Sequence, residues 1–505
     1  MKSYFYNLAG GLKTSNTKTE LGLQTKTVYW SEAKNIEIHK NRGIRRQNGN
    51  VKISQSPDGA AVLGLFGYEV GGDKIFLFNT ALGNLYCIVN LMQPTLVLEG
   101  LSVSESGCYT RFLSGVIFSN GVDNLVYFNH KSIPRGRFVE ATDANGVAIK
   151  GRAVTAYKSR LWVASGSKVY FSALGRYDDF SSPDDAGYIN DFHSDIDDIT
   201  AFQGYKDYLA IYKKNNVFLL SGNSPDDFAI QAFADKGASS HGMLVNANNR
   251  QYFFNGALFT LEQVGILSQI ALGSELSLDI KESLADFQSD YAYPGCLLSY
   301  EAKNQLWLFC PLRAQEYINQ IYIYDYVNDC WALRSLPQQI TSAMSFDGKI
   351  YTAGAEGKIY QEDIGGTFDG QTIEFCWKSP FLALGEPNQR KCVDDFNFVL
   401  DDEYDNKFSF ETYKDYNSSD LDDVISVDTA SIGQFLWDND ALMWAGSESS
   451  QQPDFQEAVW IKGAESVYKS EITRSNYAVQ LAIKGYEPSH NFALIGLEFK
   501  DVYYD

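Results

Sequence analysis

Residues 152–174 read RAVTAYKSRLWVASGSKVYFSAL, and residues 198–222 read DITAFQGYKDYLAIYKKNNVFLLSG. The two stretches are one pattern written twice. A β-branched lead-in is followed by a polar turn and then an alternating strand that opens at Leu161 or Leu209. A second polar turn and a second strand follow, opening at Val169 or Val217. Alternating apolar and polar positions in short runs bounded by Gly, Asn, Lys and Ser are the mark of antiparallel strands joined by tight turns.

Weaker copies lie on both sides. IFLF at Ile75, VIFS at Val116, YFFN at Tyr252, LWLF at Leu306 and IYTA at Ile350 each open a comparable strand, so seven units start at 75, 116, 161, 209, 252, 306 and 350. A repeat of 40 to 50 residues made of strands alone predicts a β-propeller, in which each small sheet buries its faces against its neighbours. A long β-sandwich that reuses hairpins is the other all-β reading, but nothing in a sandwich keeps a period. Trp162 and Trp307 open equivalent strands and are expected to be buried between sheets.

The pattern also sets the expected domains. Residues 1–55 read as an irregular leader or docking arm, and residues 56–365 as a propeller of six or seven blades. Residues 366–505 read as a second, sandwich-like all-β domain with alternating strands such as DFNFVLDD and KFSFETYKD. One helical insertion is expected around residues 267–291, where Leu276, Ile280 and Leu284 recur at four-residue steps after Ser274 as a cap. It accounts for the longest step between units, from 252 to 306.

A chain of 505 residues with 45% hydrophobic and 14% aromatic residues has ample material for more than one core. No apolar run approaches the length of a membrane span, and the opening MKSYFYNLAGGLK lacks a secretory apolar stretch, so a soluble protein made in the cytoplasm is expected. The seven cysteines include no C-x-x-C pair and sit beside strand residues, which reads as reduced thiols acting as small hydrophobes.

The net charge of -21 is unevenly spread. Residues 1–53 hold ten Lys or Arg against three Glu, while residues 394–505 hold 23 acidic residues against seven basic ones. An acidic chain does not grip a nucleic-acid backbone, because that affinity comes from Lys and Arg displacing counterions. The basic end is expected to dock on an acidic partner, with Arg42, Arg45 and Arg46 as the contact residues; a solvated loop is the plainer reading of the same residues. Residues 178–198 carry eight Asp in 21 positions, but the spacing fits no EF-hand, and a solvated inter-blade loop is expected rather than a metal site.

Catalytic signatures are missing. None of the five His lies in H-E-x-x-H, and there is no G-x-S-x-G elbow, P-loop or G-x-G-x-x-G. The reading is therefore of a protein that is not an enzyme and needs no cofactor and no metal.

Several stretches carry a resemblance. The opening NLAGGLKTSN with VYWSEAKNIEIHKNRGIRRQNGN, the middle VYFSALGRYDDF through FFNGALFTLEQVGI, and the closing FCWKSPFLALGEPNQRK and LAIKGYEPSHNFALIGLEF resemble the tail nozzle, or packaged-DNA-stabilisation, proteins of short-tailed bacteriophages. The resemblance implies a structural virion protein, assembled in the host cytoplasm and located in the tail. Six copies would form a ring below the adaptor or portal ring, contact tail fibres or spikes, and retain packaged DNA while providing its exit channel without sequence-specific binding. On that expectation part of the acidic surface faces the DNA path, with Asp420, Asp422 and Asp423 in the 415–428 loop as candidates. A glycan- or host-surface-binding propeller, with Trp and Tyr stacking on sugars, is the alternative, and a propeller hydrolase a further one. A WD40 scaffold is disfavoured, because the single Trp-Asp dipeptide, Trp437-Asp438, lies outside the repeats.

Overall fold

The seven strand starts found in the sequence, read there as opening each unit, are the second strands of seven blades. In the computed structural model, which describes residues 2–15, 27–40, 43–190, 192, 197–265, 269–290, 293, 295–313, 315–385, 388–401, 404–419, 421–428, 459–460 and 465–504, the first blade runs through Val62–Val70, Asp73–Thr80, Leu85–Val89 and Thr95–Leu98. Four further four-stranded blades follow in order. Their first strands are Cys108–Phe112, Ala153–Tyr157, Ala201–Tyr205 and Leu244–Ala247.

Turn chemistry explains the regularity. Gly71–Gly72, Lys158–Ser159, Asn248–Asn249 and Asp347–Gly348 all have positive φ at both positions and join the first and second strands of their blades. Two-residue turns of that kind match the twist of paired strands and set the register.

Blades six and seven share one strand. Cys330–Phe346 follows Ile318–Asp325 in the sheet of Cys296–Tyr300 and Gln305–Phe309, then continues to pair Ile340 with Gly354 in the next blade. The seventh blade is completed by Asn50–Gln55, antiparallel to Lys358–Glu362. A strand from before the first blade thus closes the last one. Asp58 then fastens the junction, its carboxylate accepting from Thr80 Oγ1 at 2.7 Å and Asn84 Nδ2 at 2.9 Å in the first blade.

In the propeller unit, apolar clusters are built from two neighbouring blades. Trp162 and Phe171 meet Phe202, Ile211 and Phe218, and the circle closes where Phe76 and Phe78 of the first blade meet Met344, Tyr351 and Ile359 of the seventh. Trp162 and Trp307 are both buried.

The second unit is a two-sheet sandwich. One sheet holds Ile36–His39, Gly43–Arg46, Ala493–Tyr504, Lys391–Asp401, Glu465–Asn476 and Val459–Trp460, with Lys2–Tyr6 also paired to Ala493–Tyr504. The other runs Glu32–Lys34, Phe375–Lys378, Val479–Gly485, Lys407–Lys414 and Leu421–Asp428. Phe398 of the first sheet meets Phe410 of the second edge-on, with ring centroids 4.4 Å apart.

Three expectations are corrected. Residues 1–55 are not an irregular arm: residues 1–48 belong to the same unit as 328–334 and 370–505, while residues 49–327 and 335–369 form the propeller unit. The strands of the opening segment are too short and too polar to reveal a partner more than 300 residues away. The segment read as helical holds instead the strand Gln269–Leu272 and one 3-10 turn, Leu278–Ile280. Ile280 and Leu284 are buried as the apolar spacing implied, but one turn plus loop achieves that burial. The acidic loop at 415–428 is in large part a strand, Leu421–Asp428.

Candidate functional site

The first strands of blades one, two, five, six and seven, with Arg152 and Asp198–Thr200 just before those of blades three and four, line a cavity of about 1010 Å³. Its wall is rich in small hydroxyls, Ser106, Thr200, Ser240, Ser299, Thr341 and Ser342 among them. Small side chains are what a ring of converging first strands can accommodate at its axis. The loops entering those strands bring charged groups to the cavity: Glu105, Arg152, Asp198 and Asp290, with Lys214 from a turn inside the fourth blade. Lys214 Nζ lies 2.9 Å from Asp290, and this hydrogen bond and charge hold the Asp290 carboxyl below its usual range.

His241 also lines the cavity. Burial lowers its pKa to about 4, so the imidazole is neutral near pH 7, and its Nδ1 has no hydrogen-bond partner. The hydroxyls of Ser240 and Ser299 are likewise without a partner. Ser240 and His241 are neighbours in sequence, yet neither bonds the other. Nucleophilic catalysis needs a hydroxyl bonded to a base that a third group orients, and this serine and histidine do not form that arrangement. What the cavity wall offers is hydrogen-bonding capacity to water or to a small polar solute.

The residues singled out in the sequence are not brought together. Arg42 and Asp420 lie outside the described residues. Arg45 donates to Glu37, Nε to Oε1 at 2.7 Å, and its Nη1 donates to Tyr404 Oη at 2.5 Å. Burial opposes its charge, but Glu37 and Tyr404 more than offset that and raise its pKa. Arg46 donates to the His490 carbonyl at 2.8 Å. Both guanidinium groups therefore engage groups of their own unit. Asp422 is drawn in toward Lys414 at 3.4 Å, with its side chain 4% exposed, whereas Asp423 is exposed.

The basic opening segment does meet acidic groups, and they are the chain's own. Lys34 pairs with Glu374 at 3.1 Å, and Lys378 with Glu32 at 2.7 Å. The fully buried Asp401 carboxylate takes both His39 Nε2 and Lys40 Nζ at 2.6 Å. Sequence reading missed that cluster, because its partners are 362 residues apart and no local pattern joins them.

In the acidic stretch 178–198, Asp185 pairs with Arg160 and Asp178 with Arg176. No group of three or more metal-ligating side chains occurs among the described residues. None of the seven cysteines is in a disulfide. Trp30, Trp162, Trp307, Trp331 and Trp377 are all buried, so none of these five is placed to stack on a sugar, while Trp437 and Trp444 lie outside the described residues.

No protein-family model matches the sequence, and no curated protein matches it significantly. Among solved structures, the chain is similar to the computationally designed Ika8 protein, at 10% identity with a TM-score of 0.37 over 63% of this chain and 100% of that one. It is also similar to an extracellular domain assigned to a one-component system of B. thetaiotaomicron, at 11% identity with a TM-score of 0.43 over 78% of this chain. In that second case the chain spans 58% of the length of the protein it matches.

Proposed function

We propose that this chain is a structural component of a short-tailed phage virion, a subunit of the ring that ends the tail, retains packaged DNA and provides its exit channel. The observation that carries the reading is the resemblance at both ends of the chain, taken with where those ends fold. The opening and closing stretches that resemble nozzle proteins contribute strands to the same two sheets, as where Gly43–Arg46 pairs with Ala493–Tyr504. A likeness scattered by chance has no reason to fall on segments that fold together.

The Gly-Gly turn in that likeness has a physical cause. A Cβ on Gly10 would stand 2.4 Å from the Val28 carbonyl oxygen, and Gly11 has φ +68. Neither position accepts a side chain without strain. The net charge of -21 supports the same reading, since a conduit that releases DNA must not hold its phosphates.

The test is recruitment. Purified protein is mixed with phage particles that lack the last tail component and imaged by negative stain. A terminal ring of about six subunits is expected, with DNA retained until infection. Protein that never joins such particles overturns the proposal.

A further inference from the structure

The outer strands of the first two blades carry an exposed apolar surface. Thr95–Leu98 and Gly136–Phe138 are the last strands of their sheets, and they adjoin. Arg135 Nη1 donates to Thr95 Oγ1 at 3.2 Å, and a Cβ on Gly136 would meet Val97 Cγ1 at 2.5 Å. Around this seam the large apolar side chains face solvent. Ile133 is 100% exposed, Met92 69% and Leu91 56%, with Leu96 and Phe138 exposed beside them. An apolar patch of that kind on a folded surface marks an interaction site.

Its charge identifies the kind of partner. Residues 91–98 and 130–138 contain Lys131, Arg135 and Arg137 and no acidic residue, in a chain with 63 acidic and 42 basic residues. All three cations are exposed. Exposed cations beside exposed apolar side chains, with Asp73 near His130 as the carboxylate at their edge, fit an acidic surface that carries apolar side chains of its own.

The chain supplies such a surface. Residues 415–428 hold five Asp and no Lys or Arg; Asp422 and Asp428 pair with Lys414 and Lys407 of the neighbouring strand, and Asp423 is exposed. Leu421–Asp428 stands last in the order of its sheet among the described residues, with Leu421, Asp423 and Val424 exposed.

We infer that the outer edge of blades one and two binds a second copy of this chain through that copy's acidic strand Leu421–Asp428. Two different patches meeting across copies make a heterologous contact, which closes into a ring when the rotation permits. The inference rests on the ring reading above and deepens it by naming the contact. It also places Asp423 between copies and removes it from the DNA path.

The experiment is sedimentation velocity on the full chain over a range of concentration and salt. Wild type is expected to self-associate, more weakly as salt rises. Ile133→Asp, at a fully exposed position, is expected to be monomeric with an unchanged melting curve. Arg135→Glu and Asp423→Arg are each expected to weaken association by about tenfold or more, and a mixture of the two to recover it, because the mixed contact restores opposite charges.

Variants that associate like wild type show that another face joins the copies and overturn the inference. A wild type that is monomeric throughout overturns it as well. Binding of wild type, but not Ile133→Asp, to vesicles containing phosphatidylglycerol, without self-association, assigns the patch to a membrane and also overturns it. The ring reading fails separately, by failed recruitment to particles. Rings that form with Ile133→Asp leave that reading standing and sink only the contact assigned here.

Discussion

At the scale of single residues, His241 shows how position sets chemistry. Its folded pKa of about 4 lies below the ordinary value of 6.5, because burial disfavours the imidazolium. The unfolded chain therefore binds a proton that the folded chain refuses between those two values, and stability falls as pH drops through that window. Its contribution is complete above pH 6.5 and amounts to at most ~3 kcal/mol. Replacing His241 by Asn is expected to flatten the dependence of the urea midpoint on pH between 6.5 and 4, and an unchanged slope would show that the imidazole is solvated. Trp162 and Trp307 make the complementary point about packing. Each fills the space between sheets, so Trp→Ala at either is expected to cost about 3 to 5 kcal/mol in equilibrium unfolding. Native tryptophan fluorescence should resist an aqueous quencher; ready quenching of both would contradict their burial.

Elements derive their meaning here from closure. Asn50–Gln55 is a modest polar strand on its own, yet it completes the seventh blade and delivers Asp58 to the first. Burial alone would raise the Asp58 carboxyl, but hydrogen bonds from Asn84, Thr80 and the Ala60 N–H outweigh it and hold the pKa below 3.8. A depressed carboxyl stabilises the fold above its unfolded pKa and loses that contribution as pH falls through the folded value. Asp58→Ala is thus expected to lower stability by about 1 to 3 kcal/mol near neutral pH. The gap between variant and wild type should narrow as pH falls through the folded value. Equal urea midpoints at pH 7 would mean that the strand closes the ring without this anchor. The four-residue spacing of Leu276, Ile280 and Leu284 carries a related lesson: it reported two buried side chains correctly and the element type wrongly, since a 3-10 turn and loop can bury the same residues.

For the molecule as a whole, the sandwich unit is assembled from both ends of the chain. Residues 1–48 hold nine Lys or Arg against three Glu, and residues 370–505 hold ten against 25 acidic residues. Folding them into one unit brings opposite charges together, and the contacts of Lys34 with Glu374 and Lys40 with Asp401 show where. It also means that residues 370–505 lack four strands of their two sheets. Expressed alone, that fragment is expected to show no cooperative thermal transition, and addition of a peptide covering residues 1–48 to restore one. A fragment that melts cooperatively by itself would show that the opening strands decorate the unit without completing it.

The period of the strands, their alternation and the turns between them were sufficient to determine an all-β propeller with a second β domain, because those signals are local and each blade repeats them. Seven strand positions and the burial of Trp162 and Trp307 were legible for the same reason, although the strands read as opening each unit are second in their blades. Only the tertiary structure decided which distant segments pair: the closing strand at Asn50–Gln55, the joining of residues 1–48 to 370–505, and the meeting of His39 with Asp401. It also decided that Arg45 and Arg46 turn to partners within their own unit. Pairing across hundreds of residues is governed by the burial and charge matched at the contact, and a strand's sequence records that it has a partner without recording which one.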